Sequence, residues 1–137
     1  MVTSPELCLR LPREKDDWVA VEDLRRAIQV AGYSEHVLAA FPALLEWAVD
    51  PNWPIASPIG AIVAEAGIHA LSSVEMALQG ADEEGQMGLM LTVVRVMPQH
   101  AKLGLCSVLE EIASSASDED LREATRAELA EIRGMLV

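Results

Sequence analysis

The sequence predicts an all-α protein built as a stack of antiparallel helical hairpins, and three observations carry that prediction. Apolar residues recur every three or four positions through most of the chain, which is the helical period. Trp18, Tyr33, Phe41, Trp47 and Trp53 are the only aromatic residues, so Ala, Leu, Ile, Val and Met must fill the core, a composition that suits helix-on-helix packing. Acidic turns recur at Asp50, Asp82 and Asp118, spaced 32 and 36 residues apart, as in HEAT-like arrays of stacked hairpins. About seven helices are expected, in a single helical-repeat domain spanning residues 1–137.

Residues 1–16 show no period. The alternation Leu7, Leu9, Leu11, ended by Pro12, predicts an extended N-terminal arm that lays its leucines on the first helix. Asp16 or Asp17 caps that helix. Its inward stripe is read as Trp18, Val21, Leu24, Ile28 and Ala31, with Gly32 at the C-terminal cap. Ser34 opens a second helix with Leu38, Phe41, Leu44, Leu45 and Ala48 inward, and Pro42 either kinks or restarts it.

The stretch from Leu44 to Ala56 is the strongest local signal. Asp50-Pro51 ends the second helix, Asn52 is expected to cap the third, and Pro54 is placed in its first turn. Trp47 and Trp53 are read as clamps that pack on each other across the turn, the other reading being an exposed aromatic pair for a ligand.

The third helix carries Ile55, Ile59, Ile62, Val63 and Ala66 on one stripe and stops near Gly67, and Pro58 is expected to bend it one turn in. Leu71, Val74 and Leu78 form a fourth face ending at Gly80. Asp82-Glu83-Glu84 opens a fifth helix whose apolar residues from Met87 to Met97 point in every direction; it is expected to be the most buried element, ended by Pro98. A sixth helix carries Leu105, Val108, Leu109 and Ile112. Ser117-Asp118-Glu119-Asp120 then caps a seventh with Leu121, Thr125, Leu129, Ile132 and Leu136 inward.

Charge is the most informative bulk property. There are 22 acidic against 10 basic side chains, a formal net charge of -12, which argues against nucleic acid as a partner. No Lys or Arg occurs between Arg26 and Arg95. An acidic surface of this kind serves solubility or presents itself to a basic partner, and both readings stay open at this point. Cys8 and Cys106 match no metal or redox spacing, no run approaches the ~20 apolar residues that span a bilayer, and the N-terminus lacks the pattern of a secretory signal. A cytoplasmic protein without membrane association is expected.

The run Pro42-Ala43-Leu44-Leu45-Glu46-Trp47, followed by Asp50 and by Asn52-Trp53-Pro54-Ile55-Ala56, resembles the signature of a small bacterial family known as domain of unknown function 5071. The resemblance covers roughly residues 11 to 133 and implies a HEAT-like helical fold. The sequence departs from the family pattern after Asp82, where Gly85-Gln86-Met87-Gly88-Leu89-Met90 stands in place of an aromatic-rich helix.

Catalytic chemistry finds little support. His36, His69 and His100 form no paired ligand motif, and Glu65 and His69, though four apart, are separated by a helix-ending Gly67, so no metal and no cofactor are expected. Neither a nucleophile-elbow serine nor a phosphate-cradling glycine loop is present. The resulting expectation is a non-enzymatic protein-binding module, most concretely an acidic immunity protein that neutralises a basic toxin domain. The alternatives are a small-ligand-binding protein or enzyme using a cleft between helices, and a structural or adaptor subunit. The expected partner-binding residues are Asp50, Asp82, Glu83, Glu84, Asp118, Glu119 and Asp120, aligned along one edge of the stack. Trp47, Asn52, Trp53 and Pro54 are assigned a structural role in the first of these turns.

Overall fold

A computed structural model describes residues 9–134. All regular structure among them is helical: α1 (Trp18–Ala31), α2 (Glu35–Leu45), α3 (Ala56–Glu65), α4 (Leu71–Gly80), α5 (Glu83–Thr92), a four-residue α6 (Gln99–Lys102), α7 (Cys106–Ser115) and α8 (Glu119–Gly134). Short 3₁₀ segments at Gly67–Ala70, Val94–Val96 and Leu103–Leu105 join some of them. Leu7, Cys8 and Leu136 lie outside the described residues.

The helices form two layers. α1, α3, α5 and α8 follow one another along one layer, α2, α4 and α7 along the other, and each helix also touches its neighbour in the opposite layer. This arrangement is compatible with a HEAT-like stack. One contiguous core runs from Val21 to Ile132 through both layers. No single helix among the described residues is long and apolar enough to cross a membrane; α3 and the segment Gly67–Gly80, which together reach that length and apolarity, meet at 114°.

Helix boundaries follow local chemistry. Asp17, Ser34, Asp82 and Asp118 each accept a backbone N–H three residues on, from Ala20, Val37, Gly85 and Leu121. At the C-terminal ends of α1 and α3 the chain turns through Gly32 (φ 64°) and Gly67 (φ 59°), conformations that a side chain would strain. Pro42 sits inside α2 without ending it: Phe41, Leu44 and Leu45 are buried around it while the ring itself faces solvent.

Four expectations need correcting. α3 starts at Ala56 rather than at Asn52, because the Asp50 carboxylate takes the Asn52 N–H (3.0 Å) and the Asp50 carbonyl the Trp53 N–H (3.1 Å), closing a turn first. Asn52 is therefore no cap and Pro54 lies outside the helix. The same shift places Pro58, expected to bend the helix one turn in, within the first turn of α3, where the missing N–H has no helical partner to lose. In α1 the buried stripe is Ala20, Val21, Leu24 and Ala27, and Trp18 points outward, 49% exposed. In the arm Leu9 packs on the core while Leu11 is exposed and Pro12 is buried in its stead; the arm is held where Lys15 accepts the Ile55 N–H (3.1 Å).

The fourth correction concerns the most buried helix. α5 ends at Thr92, and Leu91 and Val96 face solvent, so the Met87 to Met97 stretch is not buried all round. α3 is more deeply enclosed, with Ala56, Ile59, Gly60, Ile62, Val63 and Ala64 all buried. Small residues explain this: a Cβ on Gly60 would overlap the Thr92 carbonyl, so α3 and α5 approach backbone to backbone.

Candidate functional site

Three turns pass from the α2, α4, α7 layer back to the α1, α3, α5, α8 layer, and they lie along one edge. The first runs from Leu45 to Ala56. Trp47 and Ala48 donate to the Leu44 and Leu45 carbonyls, tightening the end of α2, and the Trp47 and Trp53 rings pack on each other at 5.7 Å between centroids. Both indoles are half-buried, and it is Trp47 that reaches the core.

The turn is held against α5 by backbone contact. A Cβ on Gly88 would overlap the Val49 carbonyl, and the Thr92 hydroxyl donates to the Ala48 carbonyl at 2.8 Å as well as to Gly88 in its own helix at 3.0 Å. This apposition sets Asp50, Glu84 and Met87 around one groove.

The third turn is tied to the second by Glu83. Its carboxylate accepts the backbone N–H of Ser117 (2.8 Å) and of Asp118 (2.9 Å) together with the Ser117 hydroxyl (3.0 Å), so a side chain from the first turn of α5 caps the start of α8. These hydrogen bonds, from Ser117 first and then Asp118, hold the Glu83 carboxyl below the usual glutamate range, with Arg122 adding a smaller effect in the same direction. Arg122 itself has a buried Nε without a hydrogen-bond partner among the described residues.

A groove of about 470 Å³ results, lined by Asp50, Glu83, Glu84, Asp118 and Asp120 and by the apolar flanks of Met87 and Leu91. Five of the seven predicted partner-binding carboxylates therefore meet at one place. Asp82 and Glu119 do not line it, Asp82 being turned to the Gly85 N–H as the α5 cap. Asp50, Glu83 and Asp118 are partly engaged by backbone N–H groups. Glu84 and Asp120 are exposed. Among the described residues none of the five carboxylates forms an ion pair.

The opposite edge is built differently. Tyr33, after α1, stacks against His69, after α3, at 5.2 Å, and burial first, then the nearby Glu65, push the Tyr33 hydroxyl up from its ordinary value. A Cβ on Gly67 would meet His100 Nε2 at 3.9 Å, which places the third turn next to the second. Lys102, 2% exposed, donates to Glu128 (2.7 Å), to Glu131 (3.5 Å) and to the Arg95 carbonyl (3.3 Å). The three contacts occupy the three ammonium protons. A hydrogen bond from Gln99 and then the Lys102 charge hold the Glu131 carboxyl below its usual range.

His36, His69 and His100 are all exposed, and among the described residues no three His, Cys, Asp or Glu side chains are placed to share a metal ion. Sequence reasoning read Met87 and Leu91 as core residues of the fifth helix although they line the groove, and it missed Arg122 and Lys102. The family model described as "Domain of unknown function (DUF5071)" matches residues 10–132, and the chain belongs to that family. Comparison with curated proteins finds no match.

Proposed function

We propose that this member of the DUF5071 family is a non-enzymatic protein-binding module that receives a basic partner at its acidic edge, in the manner of an immunity protein neutralising a cognate toxin domain. The observation that carries this reading is the groove: turns from three successive hairpins bring five carboxylates together without a paired cation among the described residues. Capping accounts for Asp82, Glu83 and Asp118, but it does not account for Glu84 and Asp120, which stand exposed at the groove. The net charge of -12 supplies a long-range field of the same sign. Fields of this kind raise association rates of oppositely charged partners by about 10 to 1000-fold at low salt.

The test is the association rate of a lysine-rich peptide, standing in for the basic face of a partner, measured against ionic strength. Three full-length proteins are compared: the native chain, Glu84→Lys/Asp120→Lys in the groove, and Glu111→Lys/Glu123→Lys on exposed positions that do not line it. The two double variants change net charge equally. A larger loss of rate and of salt dependence in the groove variant supports the reading, whereas equal behaviour of the two variants reduces it to a net-charge effect and overturns it.

A further inference from the structure

A second groove, of about 340 Å³, adjoins the acidic one. It runs between α2 and α4, and its lining is mostly apolar: Pro42, Leu45, Met76, Ala77 and Ala81, with Leu89 of α5. Among the described residues Glu46 and Ser73 are its only polar side chains. The groove stays open because α4 and the position after it present small residues there, Ala77, Gly80 and Ala81, while Met76 stands at its rim 66% exposed. Val49 lines both grooves, so the apolar one continues into the acidic one across a single side chain.

We infer that this apolar groove takes the anchoring side chain of a basic polypeptide whose neighbouring Lys and Arg residues occupy the acidic groove beyond Val49. The inference rests on the protein-binding reading above and names the chemistry of the partner. Charge complementarity selects this occupant. Neither groove is lined by a Lys, Arg or His, and Glu46 adds a further carboxylate on the apolar side. A second copy of the chain would bring another net charge of -12 to an acidic surface, and nucleic acid and anionic membranes are repelled for the same reason. A purely apolar segment would leave the five carboxylates unanswered. A basic segment with one large apolar side chain satisfies both grooves, in the common interface pattern of a desolvated anchor beside a charged rim.

Two synthetic peptides test this on the full-length protein: a lysine-rich peptide with one central leucine, and its counterpart with alanine at that position. Burial of the leucine side chain predicts binding about tenfold tighter or more for the leucine peptide. Gly80→Leu fills the groove from a position where an added Cβ meets nothing within 4 Å, so the fold is retained, and it should abolish the leucine preference. Met76→Ser should reduce it. In Glu84→Lys/Asp120→Lys both peptides should weaken together with their ratio kept. If the native protein binds both peptides equally while the charge variant weakens both, the anchor is wrong and the acidic reading stands. If the leucine preference persists in Gly80→Leu, the anchor lies elsewhere and the inference falls. If the charge variant binds the leucine peptide as tightly as the native protein does, the partner need not be basic, and both readings fall.

Discussion

Where α2, α4 and α7 hand over to α3, α5 and α8, each turn is closed by a carboxylate that accepts backbone N–H groups: Asp50, then Asp82, then Asp118 with Glu83 reaching across from α5. At the opposite edge Gly32 and Gly67 make the first two turns through positive φ, and Tyr33, His69 and Lys102 link neighbouring turns or helices. The difference shows how one repeat can supply two kinds of surface. A turn capped by a side chain leaves its charge facing water, whereas a turn made by glycine needs no side chain and frees its neighbours to pack. On the second edge the charge is also answered internally, since Lys102 meets Glu128 and Glu131.

The contrast is broken most severely at the lysine. Lys102→Ala would leave Glu128, only 13% exposed, without its partner, and a loss of ~3 kcal/mol or more is expected from chemical denaturation. Lys102→Met keeps the aliphatic stem, and Lys102→Met/Glu128→Leu removes both charges; the double variant should recover most of the loss. An alanine variant as stable as the native chain would show that the buried pair contributes nothing.

The acidic edge depends instead on close backbone approach. Gly88→Ala places a methyl against the Val49 carbonyl, and a loss of ~1 to 3 kcal/mol is expected as α5 and the first turn move apart. The same variant should weaken the lysine-rich peptides, because Asp50 no longer shares one groove with Glu84. Unchanged stability would mean that the turn yields without cost.

Glu83 sharpens the comparison through pH. Its folded carboxyl is held below the usual glutamate range, so the stability it lends α8 is present above that range and is lost as pH falls through the folded value. Glu83→Gln should therefore melt at a lower temperature than the native chain near neutral pH. The gap should close in acid, below the ordinary value of 4.5. A gap that stays constant with pH would assign the effect to shape and not to charge. The smallest effect is expected at Gly80, where Gly80→Ala adds a methyl to open space at the end of a helix and should stabilise by ~0.5 to 1 kcal/mol.

How far the fold could be read from the sequence depended on whether the relevant partner was near in sequence. The inward face of α8, Leu121, Thr125, Leu129 and Ile132, follows from a clean helical period and is buried as read. Gly32 and Gly67 could be placed because a positive φ at a helix end has a residue signature. Asn52-Trp53-Pro54 misled because a cap followed by proline looks the same whether a helix or a separate turn follows, and here the Asp50 carboxylate takes the Asn52 N–H and closes a turn first. Trp18 misled because it stands at helical spacing from Val21 and Leu24, whereas the buried face runs through Ala20 and Ala27. Lys102 gave no signal at all: it ends a short helix as solvated lysines do, and its partners Glu128 and Glu131 lie in another helix.

The candidate site divides the same way. The register of the acidic turns predicted that all seven carboxylates would lie along one edge; Asp50, Glu83, Glu84, Asp118 and Asp120 line one groove there, and Asp82 and Glu119 do not. Asp82 carries the local signature of a helix cap, which the register of the turns overrode, and the apolar groove was hidden because it arises from the sideways spacing of α2 and α4 where Ala77, Gly80 and Ala81 are small.

Glu83 and Lys102 grip α8 near its two ends, and they do so from different parts of the chain, the start of α5 and the end of α6. A helix packed only along its length ordinarily frays from an end, its outermost turns exchanging amide hydrogens faster than its middle. A helix pinned at both ends cannot peel in that way. Its amides between Leu121 and Glu131 should exchange with one common protection factor, as a single cooperative unit, and Glu83→Gln or Lys102→Ala should each restore a gradient that starts from the end it frees.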